Sequence, residues 1–89
     1  MTFAGNGRIF KYVKYRFRWN EWNWHHVQKH GCTAAEAEVV VRNSGRGYPR
    51  KIGNEKYEVV GRGQGGRFVR VIFVFSPPGV VYVIHAMPR

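Results

Sequence analysis

The chain contains no aspartate, and its acids are five glutamates: Glu21, Glu36, Glu38, Glu55 and Glu58. Chemistry that needs clustered carboxylates is therefore unsupported. Only Glu36/Glu38 and Glu55/Glu58 pair by sequence, and a two-metal nuclease has no ligand set. Cysteine is nearly absent too. The single Cys32 excludes an internal disulfide framework and fits a reducing cytoplasm. No apolar run reaches the ~18 residues of a membrane helix. The first residues have no apolar h-region, so a secretory leader is not expected either. Serine and threonine hydroxyls beyond Thr2 are Thr33, Ser44 and Ser76, none in a nucleophile elbow. There is no internal repeat and no low-complexity tract.

Positive charge is abundant. Fifteen Lys and Arg against five Glu leave a net +10 over 89 residues. The balance favours polyanionic partners, and the prevalence of arginine favours phosphate, which its planar fork matches. A hydrophobic fraction of 44% with 16% aromatics excludes a disordered basic tail. The length allows one small domain.

Residues 1–12, with Gly5, Asn6 and Gly7, read as a flexible extension, and 13–89 as a single domain. From Val13 the pattern alternates. Val13, Tyr15, Phe17 and Trp19 share one parity and Lys14, Arg16 and Arg18 the other, which predicts a strand with an aromatic inner and a basic outer face. Asn20 can cap a helix to about His30, with Gly31 as its C′ residue. Trp22, His26 and His30 form one stripe on it. Thr33-Ala34-Ala35-Glu36 predicts a capping box that opens a second helix through about Val41. Residues 43–54 read as a loop. Strands are predicted at about Lys56–Gly61, Arg67–Phe75 and Val80–Ala86, with short connections that favour antiparallel pairing. Pro77-Pro78-Gly79 marks a turn. The expected class is α+β, in the order β-α-α-β-β-β, with two helices packed on one face of a small antiparallel sheet.

Several motifs have a plainer reading beside the functional one. Gly61-Arg62-Gly63-Gln64-Gly65-Gly66 fits G-x-G-x-x-G in form, but a strand follows it where a dinucleotide site needs a helix, so a glycine-rich hairpin turn is the better reading. His26 and His30, with Cys32 nearby, have metal-ligand spacing, yet neither CxxC nor HExxH is present, so no metal is expected. Trp19, Trp22 and Trp24 beside arginines could stack on bases, but core filling is the default for aromatics in so short a chain. Histidine, lysine, tyrosine and arginine without an acid cluster suit cofactor-free RNA cleavage. There the substrate's own 2′-OH attacks the phosphate, and the protein supplies a base, an acid and cations.

The run Trp19-Asn20-Glu21-Trp22-Asn23-x-x-His26-Val27-x-Lys29-His30-Gly31 resembles the opening signature of BrnT-type toxins. Lys56–Arg62, Gly66-Arg67-Phe68 and Val81–Ala86 are similar to that family's later pattern, and the likeness spans about residues 17–87. The resemblance implies a RelE-like domain over 13–89 and a ribonuclease toxin of a type II toxin–antitoxin pair, restrained by an acidic antitoxin. The sequence departs from the pattern at Met87, where members carry arginine.

The resulting expectation is a cytoplasmic, metal-independent endoribonuclease without cofactor, with RNA and an acidic antitoxin as partners and no membrane. Arg67 is the expected phosphate clamp, His85 the proton donor or acceptor, and Lys29 or His30 a second proton-transfer or electrostatic group. Arg16, Arg18, Arg46, Arg62 and Arg70 are expected to hold the RNA backbone. Arg67 and His85 can act together only if they share a sheet face. The alternative is a non-catalytic RNA- or protein-binding module that kept the basic sheet face; a purely structural domain is the third.

Overall fold

A computed structural model describes residues 15–76 and 79–89. The expected flexible extension, Val13 and Lys14 of the first strand, and Pro77-Pro78 lie outside the described residues. The elements run β1 (Arg16–Phe17), α1 (Glu21–Lys29), α2 (Ala34–Arg42), β2 (Arg50–Gly53), β3 (Lys56–Arg62), β4 (Phe68–Ser76) and β5 (Val80–Pro88). The class is α+β, with both helices packed against a five-stranded sheet of order β1-β5-β4-β3-β2.

Two features correct the sequence expectation. The sheet is mixed, because β1 pairs parallel with β5 through Arg16↔Val80 and Phe17↔Val81, while every other pair is antiparallel. The whole chain between them serves as the crossover that a parallel pair requires. Within the expected loop 43–54, residues Arg50–Gly53 form the edge strand β2, held on β3 by Arg50↔Glu58 and Lys51↔Tyr57. All four β2 residues are exposed, so the alternation that normally betrays a strand is missing.

Each helix has only nine residues. Helices this short are marginal alone and depend on their ends and on packing. In α1 the Asn20 side chain accepts from the Asn23 amide while Asn23 Oδ1 accepts from the Asn20 amide, a reciprocal cap. Gly31, at φ +88°, turns the chain out of α1. In α2 only half of the expected box forms. Thr33 Oγ1 accepts from the Glu36 amide, but the Glu36 carboxylate points elsewhere, to Arg67 and the Gln64 amide.

The core between helices and sheet is built from valines: Val27 of α1, Val40 and Val41 of α2, and Val59, Val69, Val71, Val81 and Val83 of the sheet, around Phe73. The chain contains no leucine. Complete burial of such a side chain contributes about 1.5–3 kcal/mol. Val69, Val71 and Phe73 therefore define the helix-covered face of β4, and Phe68, Arg70 and Ile72 the face that no helix covers.

Candidate functional site

The helix-free face is charged at its centre. Cross-strand register places Val60 beside Arg70, Glu58 beside Ile72 and Arg62 beside Phe68. Glu58 is 2% exposed and lies between two guanidinium groups. Arg70 Nε donates to it at 2.8 Å and Arg50 Nη2 binds its other oxygen. These bonds, Arg70's first, hold the Glu58 carboxyl below the usual glutamate range. Arg62 lies with its guanidinium carbon 4.4 Å from the Phe68 ring centre and donates to the Gly66 carbonyl. Arginine stems and heads thus cover apolar side chains here, leaving cationic edges to solvent.

A bulge decides what joins this face. In β5, Val83 pairs with Phe73 and His85 with Ile72, which leaves Ile84 as one extra residue. Simple alternation from Val81 and Val83 would send residue 85 into the core. The bulge instead turns Ala86 inward, opposite Val71, and sets His85 on the helix-free face beside the Arg70/Met87 pair. Beyond the short pairing with β1, β5 is the sheet's edge, and around that edge the His85 ring meets α1. Its centre is 5.0 Å from that of His30 and 6.0 Å from that of His26, and the nearest ring nitrogens of the three lie within 4.8 Å of one another. Burial, then the neighbouring His30, His26 and Arg70, pushes the His85 pKa down. Trp22, one turn before His26, stacks on it at 4.7 Å with an interplanar angle of 9°. A surface cleft of about 460 Å³ runs alongside, lined by Glu21, Trp22, His25, His26 and Lys29.

Among the expected catalytic residues, His30 and His85 come together, and Lys29 stands exposed on the adjoining cleft. Arg67 does not join them. It points to the helix side, where Nε and Nη2 donate to the two carboxylate oxygens of buried Glu36 at 3.0 and 2.6 Å and Nη2 also reaches the Gly31 carbonyl. The shared face that a joint Arg67–His85 site requires is not present. The Glu36 carboxyl is held low, first by Arg67's bonds and also by the Gln64 amide. Cys32, considered beside the histidines for a metal, is buried against Glu36 instead, and burial raises its thiol pKa.

The expected backbone-binding residues divide. Arg62 and Arg70 lie on the helix-free face, as described. Arg18 approaches it, with its guanidinium carbon 4.9 Å from the Tyr82 ring centre. Arg16 and Arg46 are exposed on β1 and on the segment before β2. Trp19 is tied down, donating from Nε1 to Glu38, whereas Trp22 and Trp24 are 56% and 44% exposed. The sequence reading passed over His26 as a partner of His85 and Glu58 as the face's anchor. The i, i+4 spacing of His26 and His30 was the available signal for the first.

No described helix is long and apolar enough to cross a membrane. Comparisons with family models, curated proteins and solved structures find no match to this chain.

Proposed function

We propose that the chain is a toxin-like endoribonuclease that cleaves RNA without a divalent metal, as the active half of a type II toxin–antitoxin pair. The observation that carries this reading is the meeting of His26, His30 and His85 at the edge of a face bearing Arg70 and Arg62. RNA supplies its own nucleophile. One imidazole takes the proton of the 2′-OH, a second returns one to the 5′-oxygen as the P–O bond breaks, and cations offset the charge on the phosphorane. His85, whose pKa is pushed down by burial and then by the neighbouring His30, His26 and Arg70, suits the base, and His30 the acid. Arg70, next to His85 on the same face, takes the charge-stabilising role first expected of Arg67. Lys29 and Arg62 extend the cationic path. Both buried carboxylates, Glu36 and Glu58, are bound to arginines, which favours chemistry that does not use them.

The resemblance to BrnT-type toxins supports the same reading and adds its partner, an acidic antitoxin that would cover this face. The test is purified protein in EDTA with a short RNA. His85→Ala should lose about 10²–10⁴ of the rate and Arg70→Ala about 10²–10³. Cleavage that survives His85→Ala and His30→Ala, or that requires added magnesium, refutes the assignment.

The second reading, a binding module without catalysis, rests on Met87. It stands opposite Arg70, 37% exposed, at the position where the resembled family carries an arginine. With Phe68, also exposed, it gives the face an apolar portion suited to a protein partner. RNA binding without cleavage by the wild-type chain would select this reading.

A further inference from the structure

We propose that His26, His30 and His85 form a binding site for one divalent transition-metal ion of the zinc type, with three imidazole nitrogens as ligands and a fourth position open to the helix-free face.

The ligands come from two elements. His26 in α1 and His30 at its C-cap are four residues apart, which brings their rings to 5.2 Å between centres. His85 is delivered from β5 by the bulge at Ile84. The three nitrogens already lie within 4.8 Å of one another. A tetrahedral zinc with bonds of about 2.0–2.1 Å sets its ligands roughly 3.4 Å apart. Ring rotations about χ1 and χ2 can cover that difference, because none of the three rings hydrogen-bonds to another protein group among the described residues. All three residues are partly buried.

The donor set selects the ion. Three neutral nitrogens with no carboxylate oxygen disfavour Mg²⁺ and Ca²⁺, which take oxygen ligands, and suit Zn²⁺, Co²⁺, Ni²⁺ or Cu²⁺. Three protein ligands with an open fourth position make an accessible site rather than a closed structural one. Trp22 stacks on one side of the His26 ring.

The site does not depend on the ribonuclease reading, and its test uses no RNA. The full chain, freed of metal by chelation and dialysis, is titrated with ZnCl₂ in a non-coordinating buffer and followed by calorimetry; CoCl₂ reports geometry through its visible spectrum. The expected result is one Zn²⁺ per chain and an intense, low-coordinate Co²⁺ spectrum. Even changes to groups behind the ligands cost metal sites about 10–100-fold, so His26→Ala, His30→Ala and His85→Ala should each weaken Zn²⁺ binding by at least about 100-fold. His25→Ala, which removes the remaining histidine, should bind as the parent does. His85→Gln preserves bulk on β5 and carries the test if the alanine variant fails to fold by circular dichroism. Absence of stoichiometric Zn²⁺ binding overturns the proposal. So does unchanged affinity in the folded His85 variant, which would reduce the site to a helical histidine pair.

Discussion

Replacing Gly63 by alanine tests how the glycine turn, α2 and Arg67 hold one another. Gly63 has φ −98°, which alanine adopts without strain. The obstacle is space. An added Cβ would lie within 3.0 Å of Oε2, Cγ and Cδ of Glu36. Those atoms sit where they do because Oε2 accepts from the Gln64 amide and Arg67 Nε, and Oε1 from Arg67 Nη2. The methyl group must therefore push a buried carboxylate out of its bonds. Bonds to a charged group contribute about 1.5–3 kcal/mol each, and the carboxylate cannot lose all of them at once. The reduced entropy of the unfolded chain returns about 0.4–1 kcal/mol. The expected net loss is about 2–3 kcal/mol, or on the order of 10–20 °C in Tm for a domain of this size. Thermal and urea unfolding followed by circular dichroism would measure it. Gly45→Ala, with nothing within 4 Å of its Cβ, is the control and should be neutral or slightly stabilising. The cycle with Glu36→Ala is decisive. Once the carboxylate is gone, Gly63→Ala should cost almost nothing. An undiminished penalty in that background, or less than about 0.5 kcal/mol in the parent, would refute the argument.

The same carboxylates set the acid limb. Arginine bonds lower the pKa of both Glu36 and Glu58, so their contribution is complete above the unfolded glutamate value of about 4.3 and is lost as pH falls through the lower folded values. Stability of the parent measured from pH 6 down to pH 2 should fall through that window, and Glu36→Gln should flatten the descent. RNA affinity should drop steeply with salt, each neutralised phosphate contributing about −0.7 to the log–log slope for a single strand; Arg62→Ala should make the slope shallower by about that amount, and a level salt response would exclude phosphate-led binding. If cleavage and metal use the same imidazole lone pairs, Zn²⁺ should inhibit cleavage in step with its occupancy and EDTA should restore it. Inhibition that is equal in a cleaving His26→Ala variant would place the inhibitory ion elsewhere.

Both helices, their caps at Asn20 and Thr33 and the three long strands were legible because each carries a local signal: a capping side chain, an apolar period or a run of β-branched residues. The same holds for the choice between a dinucleotide loop and a hairpin turn at Gly61–Gly66. Three features were not legible, and each depends on a partner distant in sequence. β2 is an exposed edge whose existence rests on pairing with β3. Glu36 sits at the right spacing for a capping box, but Arg67, 31 positions later, competes successfully for its carboxylate. The face of His85 is set by a single inserted residue, Ile84, that only the register against β4 reveals. Parity alone would have placed that imidazole in the core and dissolved the candidate site. Alternation along the strand puts Arg67 and Arg70 on opposite faces; that Arg67 is the one turned to the helices shows only in the fold, where it pairs with Glu36 and Arg70 with Glu58.

The strand order carries a consequence for how the domain assembles. β2 to β5 follow one another as chain neighbours and can zip up locally, which is fast. β1 and α1 must instead close on β5 from the far end of the sequence, as in the Tyr82 hydroxyl's bond to Asn20, 62 positions away. During synthesis α1 and α2 emerge first, too short to persist; α2 waits for β3 and β4, and α1 for β5 with Val81, Val83 and Ala86, before their apolar sides have a surface to cover. The meander should therefore acquire hydrogen-exchange protection before the helices do, and the β1–β5 seam should be the first part of the sheet to open. The histidine cluster bridges α1 and β5 across that late-forming closure, so it exists only when assembly is complete.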